Sequence, residues 1–177
     1  MVESKLKKVK LIVSDVDGVL TDGKIYLLAG EELKVFSARD ASPMEIARRS
    51  GLKFLFITSR KSKAIIKRAK ELKTELVFKT DIKKTGGDLP RYIKKRYGLK
   101  PDGVLYVGDD WSDLYAMKLF GLSALPSNAA PENKKIADII TSAAGGEGVI
   151  REVIEKVMKA QGTWEKYLAD YQNSFST

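Results

Sequence analysis

The chain has 177 residues and 44% hydrophobic content, which suits one domain of moderate size with a real core. It carries neither cysteine nor histidine, so disulfide frameworks, Ser-His-Asp triads, cysteine or histidine phosphoenzymes and histidine-held zinc are excluded. The formal charge of +9 admits acidic partners, but the basic residues clump on amphipathic helices without interleaved aromatics, and nucleic acid is not an expected partner.

No apolar run reaches the roughly 18 residues of a membrane span. The basic N-terminal stretch lacks a small-residue cleavage site, so no signal peptide and a cytoplasmic location are expected. Residues 9–14 read as a buried strand ending at Asp15 and Asp17, with Gly18 next, in the segment DVDGVLTDG. Two carboxylates at the mouth of a buried strand are costly unless a cation sits between them. Residues i and i+2 of a strand share a face, and a bend after Asp15 would splay both carboxylates around one point. The plainer alternative is a pair of turn residues closing the strand.

Residues 24–28 and 33–37 alternate around AGEE and predict a β-hairpin within 23–38. Ser42 is the expected N-cap of the next helix, with Pro43 at its first position and Glu45 completing a capping box; the helix ends near Gly51. LKFLFIT then reads as a buried strand, 61–73 as a helix, TELVF as a strand and 88–97 as a lysine-rich helix. GVLYVG is a further buried strand, after which Asp110 caps a helix from Trp111 to Phe120. LSALP, a short helix from PENKKIAD, the strand DIIT, the AAGGEG turn, a helix over 149–160 and a tail over 161–177 complete the chain. The alternation predicts an α/β fold, a Rossmann-like and mostly parallel sheet with helices on both faces, in a single domain over 1–177.

Ligands in such folds gather at the carboxyl ends of the strands. Asp15 and Asp17 follow one strand, Thr58, Ser59 and Arg60 a second, Lys84 a third, and Asp109, Asp110 and Asp113 a fourth. Phosphoryl transfer needs a nucleophile, charge neutralisation and proton management at the leaving oxygen. Asp15 can supply the nucleophile and Asp17 the proton, while Asp109 can share with Asp15 a hard, oxygen-held cation, magnesium first. Asp113 falls on the same helix face as Asp109 and can hold a metal-bound water. The plainer reading makes Asp110 an N-cap and Asp113 its capping partner. Thr58 and nearby backbone N–H groups can donate to phosphate, and Lys84 can offset its charge.

These residues resemble the motifs of the haloacid dehalogenase superfamily of phosphatases: DVDGV, the strand-end threonine of FITSR, a loop lysine and GDDWSD, over nearly the whole chain. The resemblance implies Asp15 as nucleophile and Asp17 as acid–base. It implies Mg2+ held by Asp15, the main-chain carbonyl of Asp17 and Asp109, and phosphate held by Thr58, Ser59 and Lys84. The stretches from Gly23 to Ser42 and from Thr58 to Lys84 are too short for a cap domain. The hairpin, the Arg39-Asp40 pair and GGEGVIREV look like the capless 3-deoxy-D-manno-octulosonate 8-phosphate phosphatases; the nonulosonate 9-phosphate phosphatases share the outline. Both imply a homotetramer whose hairpins form a central barrel and whose neighbouring subunits partly cover each site. Ile25, Leu27, Val35 and Phe36 do need a surface to bury against, with packing back on their own domain as the alternative.

Three features depart from the pattern. Thr58-Ser59 replaces threonine-glycine, the DIKKTGGDLP loop is long enough to make Lys83 a rival of Lys84, and the tail looks closer to the nonulosonate branch, whereas Arg60 matches the octulosonate branch. Arg60 and Arg39 are candidates for the carboxylate of a sugar acid phosphate. The expected activity is a magnesium-dependent phosphomonoesterase acting on such a substrate through an aspartyl phosphate. The nonulosonate ester, a broad-specificity hydrolase and a non-catalytic basic binding protein on the same fold are alternatives. A phosphomutase is disfavoured by the absence of room for a cap.

Overall fold

The computed structural model describes residues 1–29, 31–82 and 86–174. After a short helix α1 (Val2–Leu6), the strands β1 (Leu11–Asp15), β4 (Lys53–Thr58), β5 (Glu75–Phe78), β6 (Val104–Val107), β7 (Leu122–Leu125) and β8 (Ile139–Ile140) form one parallel sheet in the order β5-β4-β1-β6-β7-β8. The strand order reverses at β1, and register pairs Asp15 with Ile57 and Ser14 with Val107. That crevice is where a doubly wound sheet leaves room for a ligand.

Side chains alternate between two cores. Ile12, Phe56, Leu105 and Val107 face α2 (Ala41–Arg49), α3 (Lys63–Glu71) and α7 (Val149–Ala160), meeting Met44, Ile65, Val153 and Val157. Leu11, Val13, Leu55, Ile57 and Tyr106 face α4 (Asp88–Tyr97) and α5 (Leu114–Leu119), meeting Leu89, Ile93 and Met117. Burial on both faces is why β1 opens on the apolar run Leu11 to Val13 and stays buried at Ser14 and Asp15. A four-residue helix α6 (Pro131–Lys134) links β7 to β8.

Several boundaries differ from expectation. Ser42 is not the N-cap of α2. A 3-10 turn, Ala38–Asp40, precedes the helix and is capped by Ser37, whose Oγ accepts from the Arg39 N–H at 3.3 Å. The chain is therefore already helical when it reaches Ala41. Asp40 caps no N–H of α2; its carboxylate accepts from the Arg151 N–H of α7 at 3.0 Å, and burial pushes its pKa up. Glu45 pairs with Arg49 at 3.0 Å instead of closing a capping box. Helix 61–73 shortens to α3, and 111–120 splits into a 3-10 turn, Trp111–Asp113, and α5.

The hairpin forms with shifted strands. β2 (Tyr26–Leu28) pairs antiparallel with β3 (Glu31–Leu33), Tyr26 opposite Leu33 and Leu28 opposite Glu31. The expected second strand over 33–37 is thus displaced, because the connection is shorter than AGEE: Ala29 takes a positive φ of 50° and Glu31 and Glu32 join the ladder. Ile25, Tyr26, Leu27, Leu28, Leu33 and Val35 remain exposed, while Phe36 packs on the first core. The tail contains a helix not foreseen, α8 (Trp164–Asn173), which packs on α2 and α7. Trp164 is buried and Tyr167, Leu168 and Tyr171 pack beside it, the spacing of one apolar helix face.

Candidate active site

β1 ends in a tight loop. The Asp15 carboxylate is buried and accepts from the Val16 N–H at 2.8 Å. Thr21 Oγ1 accepts from the N–H groups of Gly18 and Gly23, both at 3.3 Å, which explains the TDG turn. Gly18 has a φ of 83°, and a Cβ there would lie 1.9 Å from Asp109 Oδ2, so only glycine lets the two loops meet. From the other side, Gly145 presses on the same loop: a Cβ on it would lie 2.1 Å from the Gly18 carbonyl oxygen. Its N–H donates to Asn128 Oδ1 at 2.9 Å, and the Gly146 N–H donates to the Val19 carbonyl at 3.0 Å.

Asp113 organises the loop after β6. Its Oδ2 accepts from the N–H groups of Asp109 and Asp110 at 3.1 and 3.4 Å, and its Oδ1 accepts from the Tyr106 hydroxyl at 2.7 Å. Burial, then the charges of Asp113 and Asp15, push the Tyr106 pKa well above its ordinary value, so the phenol stays a donor. Asp110 Oδ1 accepts from the Trp111 N–H at 2.7 Å, and the Asp110–Asp113 capping box is present. Capping and site-building are here one arrangement.

Oxygens of Asp15, Asp109 and Asp113 lie within 4.8 Å of one another. An all-carboxylate set fits a hard divalent cation such as magnesium. Both oxygens of Asp113 accept hydrogen bonds from the β6 strand and the loop that follows it. Asp17 sits outside this cluster. Its Oδ1 accepts from Lys34 Nζ at 2.5 Å, and its Oδ2 lies 3.9 Å from Arg60 Nε.

Thr58 is fully buried at the end of β4, and its Oγ1 accepts from the Arg60 N–H at 3.1 Å. Ser59 and Arg60 join Asp15, Asp17, Asp109 and Asp110 around a cleft of about 210 Å³. Arg39 is not brought there: it lines a separate cavity with Gly148, Arg151 and Glu155. Lys83 and Lys84 lie outside the described residues. One cleft residue, Lys79, and two residues that pair with the cleft's Asp17 and Arg60, Lys34 and Glu32, escaped the sequence reading. Lys79 lines the cleft and donates to Ser112 Oγ at 3.2 Å; it directly follows β5, so the strand-end rule that singled out Thr58 points to it too. Lys34 and Glu32 arrive through the hairpin, and no local signal marks them.

Comparison with known proteins identifies the family. Residues 82–153 match the family described as haloacid dehalogenase-like hydrolase. The 3-deoxy-D-manno-octulosonate 8-phosphate phosphatase KdsC of Escherichia coli K12 is 37% identical over 162 residues, covering 90% of this chain and 84% of the relative. The Haemophilus influenzae enzyme of the same name is 30% identical over 161 residues, covering 90% and 88%. A crystal structure of the Moraxella catarrhalis phosphatase, in complex with magnesium, phosphate and KDO, superposes with a TM-score of 0.88 at 32% identity, covering 96% of this chain and 97% of that one. Among its described residues this chain has the parallel sheet without a cap, and it belongs to the haloacid dehalogenase-like hydrolases, among the relatives of the 3-deoxy-D-manno-octulosonate 8-phosphate phosphatases.

Proposed function

We propose that the protein is a magnesium-dependent phosphatase of a small acidic sugar phosphate, with 3-deoxy-D-manno-octulosonate 8-phosphate as the first candidate substrate. The observation that carries this is the meeting of Asp15, Asp17, Asp109 and the cations Arg60 and Lys79 in one cleft at the carboxyl end of β1 and its neighbours. A carboxylate pair with no positive charge nearby would repel a phosphate dianion; this cleft has both signs.

The bound cation would be held by Asp15, Asp109 and the main-chain carbonyl of Asp17, and would supply the charge that lets an anionic nucleophile meet an anionic ester. Asp15 attacks phosphorus through one carboxylate oxygen as the bond from phosphorus to the sugar oxygen breaks, and Asp17 delivers a proton to that oxygen. Asp17 then takes a proton from the water that opens the aspartyl phosphate, which releases inorganic phosphate and restores Asp15. Thr58 and Ser59 donate to the phosphate oxygens, and Lys79, with Lys84 or Lys83, offsets their charge. Arg60, whose guanidinium matches a carboxylate fork, reads the acid end of the sugar.

The exposed apolar hairpin supports a homotetramer in which hairpins pack together. We place the enzyme in the cytoplasm; among the described residues no helix is long and apolar enough to cross a membrane. The deciding experiment measures kcat/KM over a panel of sugar acid phosphates with and without EDTA. The octulosonate ester should lead the panel and EDTA should stop turnover. Flat values would sink the assignment of substrate, and the nonulosonate 9-phosphate in the lead would transfer it to that branch.

A further inference from the structure

The hairpin region carries two charged side chains onto the cleft residues Asp17 and Arg60. Lys34 follows β3 directly, and its side chain is 1% exposed, although a lysine is rarely buried without a partner. Its ammonium lies 2.5 Å from Asp17 Oδ1 and 3.5 Å from Glu32 Oε2. Glu32 in turn accepts from Arg60 Nη1 at 2.7 Å through its other oxygen. Two cations and two carboxylates therefore form a closed ring, with Asp17 and Glu32 at opposite corners.

Taking an ammonium out of water costs several kcal/mol unless its partners are well placed. Hydrophobic contacts alone would hold a hairpin, and Phe36 already supplies one. The buried charge falls on the carboxylate that must move a proton. Among the described residues, the ion pairs to the Asp17 side chain come from Lys34 and Arg60, and the one hydrogen bond goes to Oδ1. Oδ2 is left without a hydrogen bond, 3.9 Å from Arg60 Nε.

We propose that Lys34, fixed by Glu32, is a positioning residue that clamps Oδ1 of Asp17 and so presents Oδ2 to the leaving oxygen of the substrate. The hairpin is then part of the catalytic apparatus of its own subunit. This rests on the role of Asp17 as acid–base in the phosphatase reading.

Lys34→Met, Lys34→Arg and Glu32→Gln are compared with the wild-type chain on two esters. One is an alkyl sugar acid phosphate, whose leaving oxygen needs a proton; the other is p-nitrophenyl phosphate, whose leaving oxygen scarcely does. General acid–base groups contribute about 100-fold or more, so a misaligned one should lower kcat on the alkyl ester by about tenfold or more. In Lys34→Met we expect that loss with KM nearly unchanged, a much smaller loss on the aryl ester, and recovery of most of it in Lys34→Arg. Thermal midpoint and particle mass should match the wild type. Should Lys34→Met unfold, Glu32→Gln keeps the ammonium but weakens its anchor, and must show the same preference between esters on a smaller scale.

Equal losses on both esters, a rise in KM alone, or wild-type rates in both variants would overturn the proposal. A wild-type chain inactive on both esters would overturn the phosphatase reading and this inference with it; an active wild type beside an unaffected variant overturns the inference alone.

Discussion

The hydroxyl of Tyr106 donates to Asp113 Oδ1 at 2.7 Å, and both residues are fully buried. A core strand thereby fixes the carboxylate that shapes the Asp109–Asp110 loop. Tyr106→Phe removes a buried hydrogen bond to a carboxylate, which costs about 1.5–3 kcal/mol. Urea denaturation should show that loss, and the magnesium concentration for half-maximal activity should rise as Asp109 loosens.

Gly18 and Asp109 touch so closely that a methyl group on Gly18 would overlap the carboxylate. Displacement of a reacting group by about 1 Å can cost roughly 100-fold in rate. Gly18→Ala should lose activity on that scale while far-ultraviolet circular dichroism stays native. A normal response to magnesium in this variant would show that Asp109 is not a ligand.

Asp40 gives a pH signature. Burial raises its folded-state pKa, against the smaller lowering by the Arg151 N–H and the charges of Arg68 and Arg151. The folded chain therefore holds this proton at a pH where the unfolded chain has lost it. Its contribution is full below the unfolded value and fades as pH rises through the folded one. Asp40→Asn keeps an acceptor for the Arg151 N–H and cannot ionise. Thermal midpoints followed from about pH 3 to 8 should fall less with rising pH in Asp40→Asn than in the wild type.

Leu27 and Leu28 are 76% and 68% exposed on the hairpin. Light scattering should give a tetramer for the wild type and a smaller species for Leu27→Glu/Leu28→Glu. A monomeric wild type at micromolar concentration would end the tetramer proposal. If the clamp by Lys34 acts within one subunit, the dissociated variant should retain part of its activity on p-nitrophenyl phosphate.

Trp164 anchors α8 on the first core and is 7% exposed. Trp164→Ala should destabilise by about 3–5 kcal/mol, as large aromatic truncations do. Chemical denaturation checks it.

Much of the site was legible because its signals are local. The apolar run before Asp15 marks the buried β1, and glycine at position 18 marks the close approach that Asp109 makes. The strand ends carrying Thr58, Ser59 and Asp109 line up because the sheet is parallel. What escaped is set by contacts distant in sequence. Ser42, Pro43 and Glu45 satisfy local rules for a helix start, yet the turn capped by Ser37 runs straight into α2 while Asp40 serves α7. Lys34 reads as one more surface lysine until a shortened hairpin turn delivers it to Asp17. Helix α8 is a different case, since Trp164, Tyr167, Leu168 and Tyr171 carry the periodicity plainly.

The contact of Gly145 with the Gly18 carbonyl has a consequence for synthesis. The Asp15 loop is synthesised well before the surface that shapes it, since Gly145 lies 127 residues after Gly18. A nascent chain shorter than Gly145 holds Asp15 and Asp109 but lacks the wall that seats the loop between them. The Asp15 loop thus takes its final seat only once the Gly145 segment has been made.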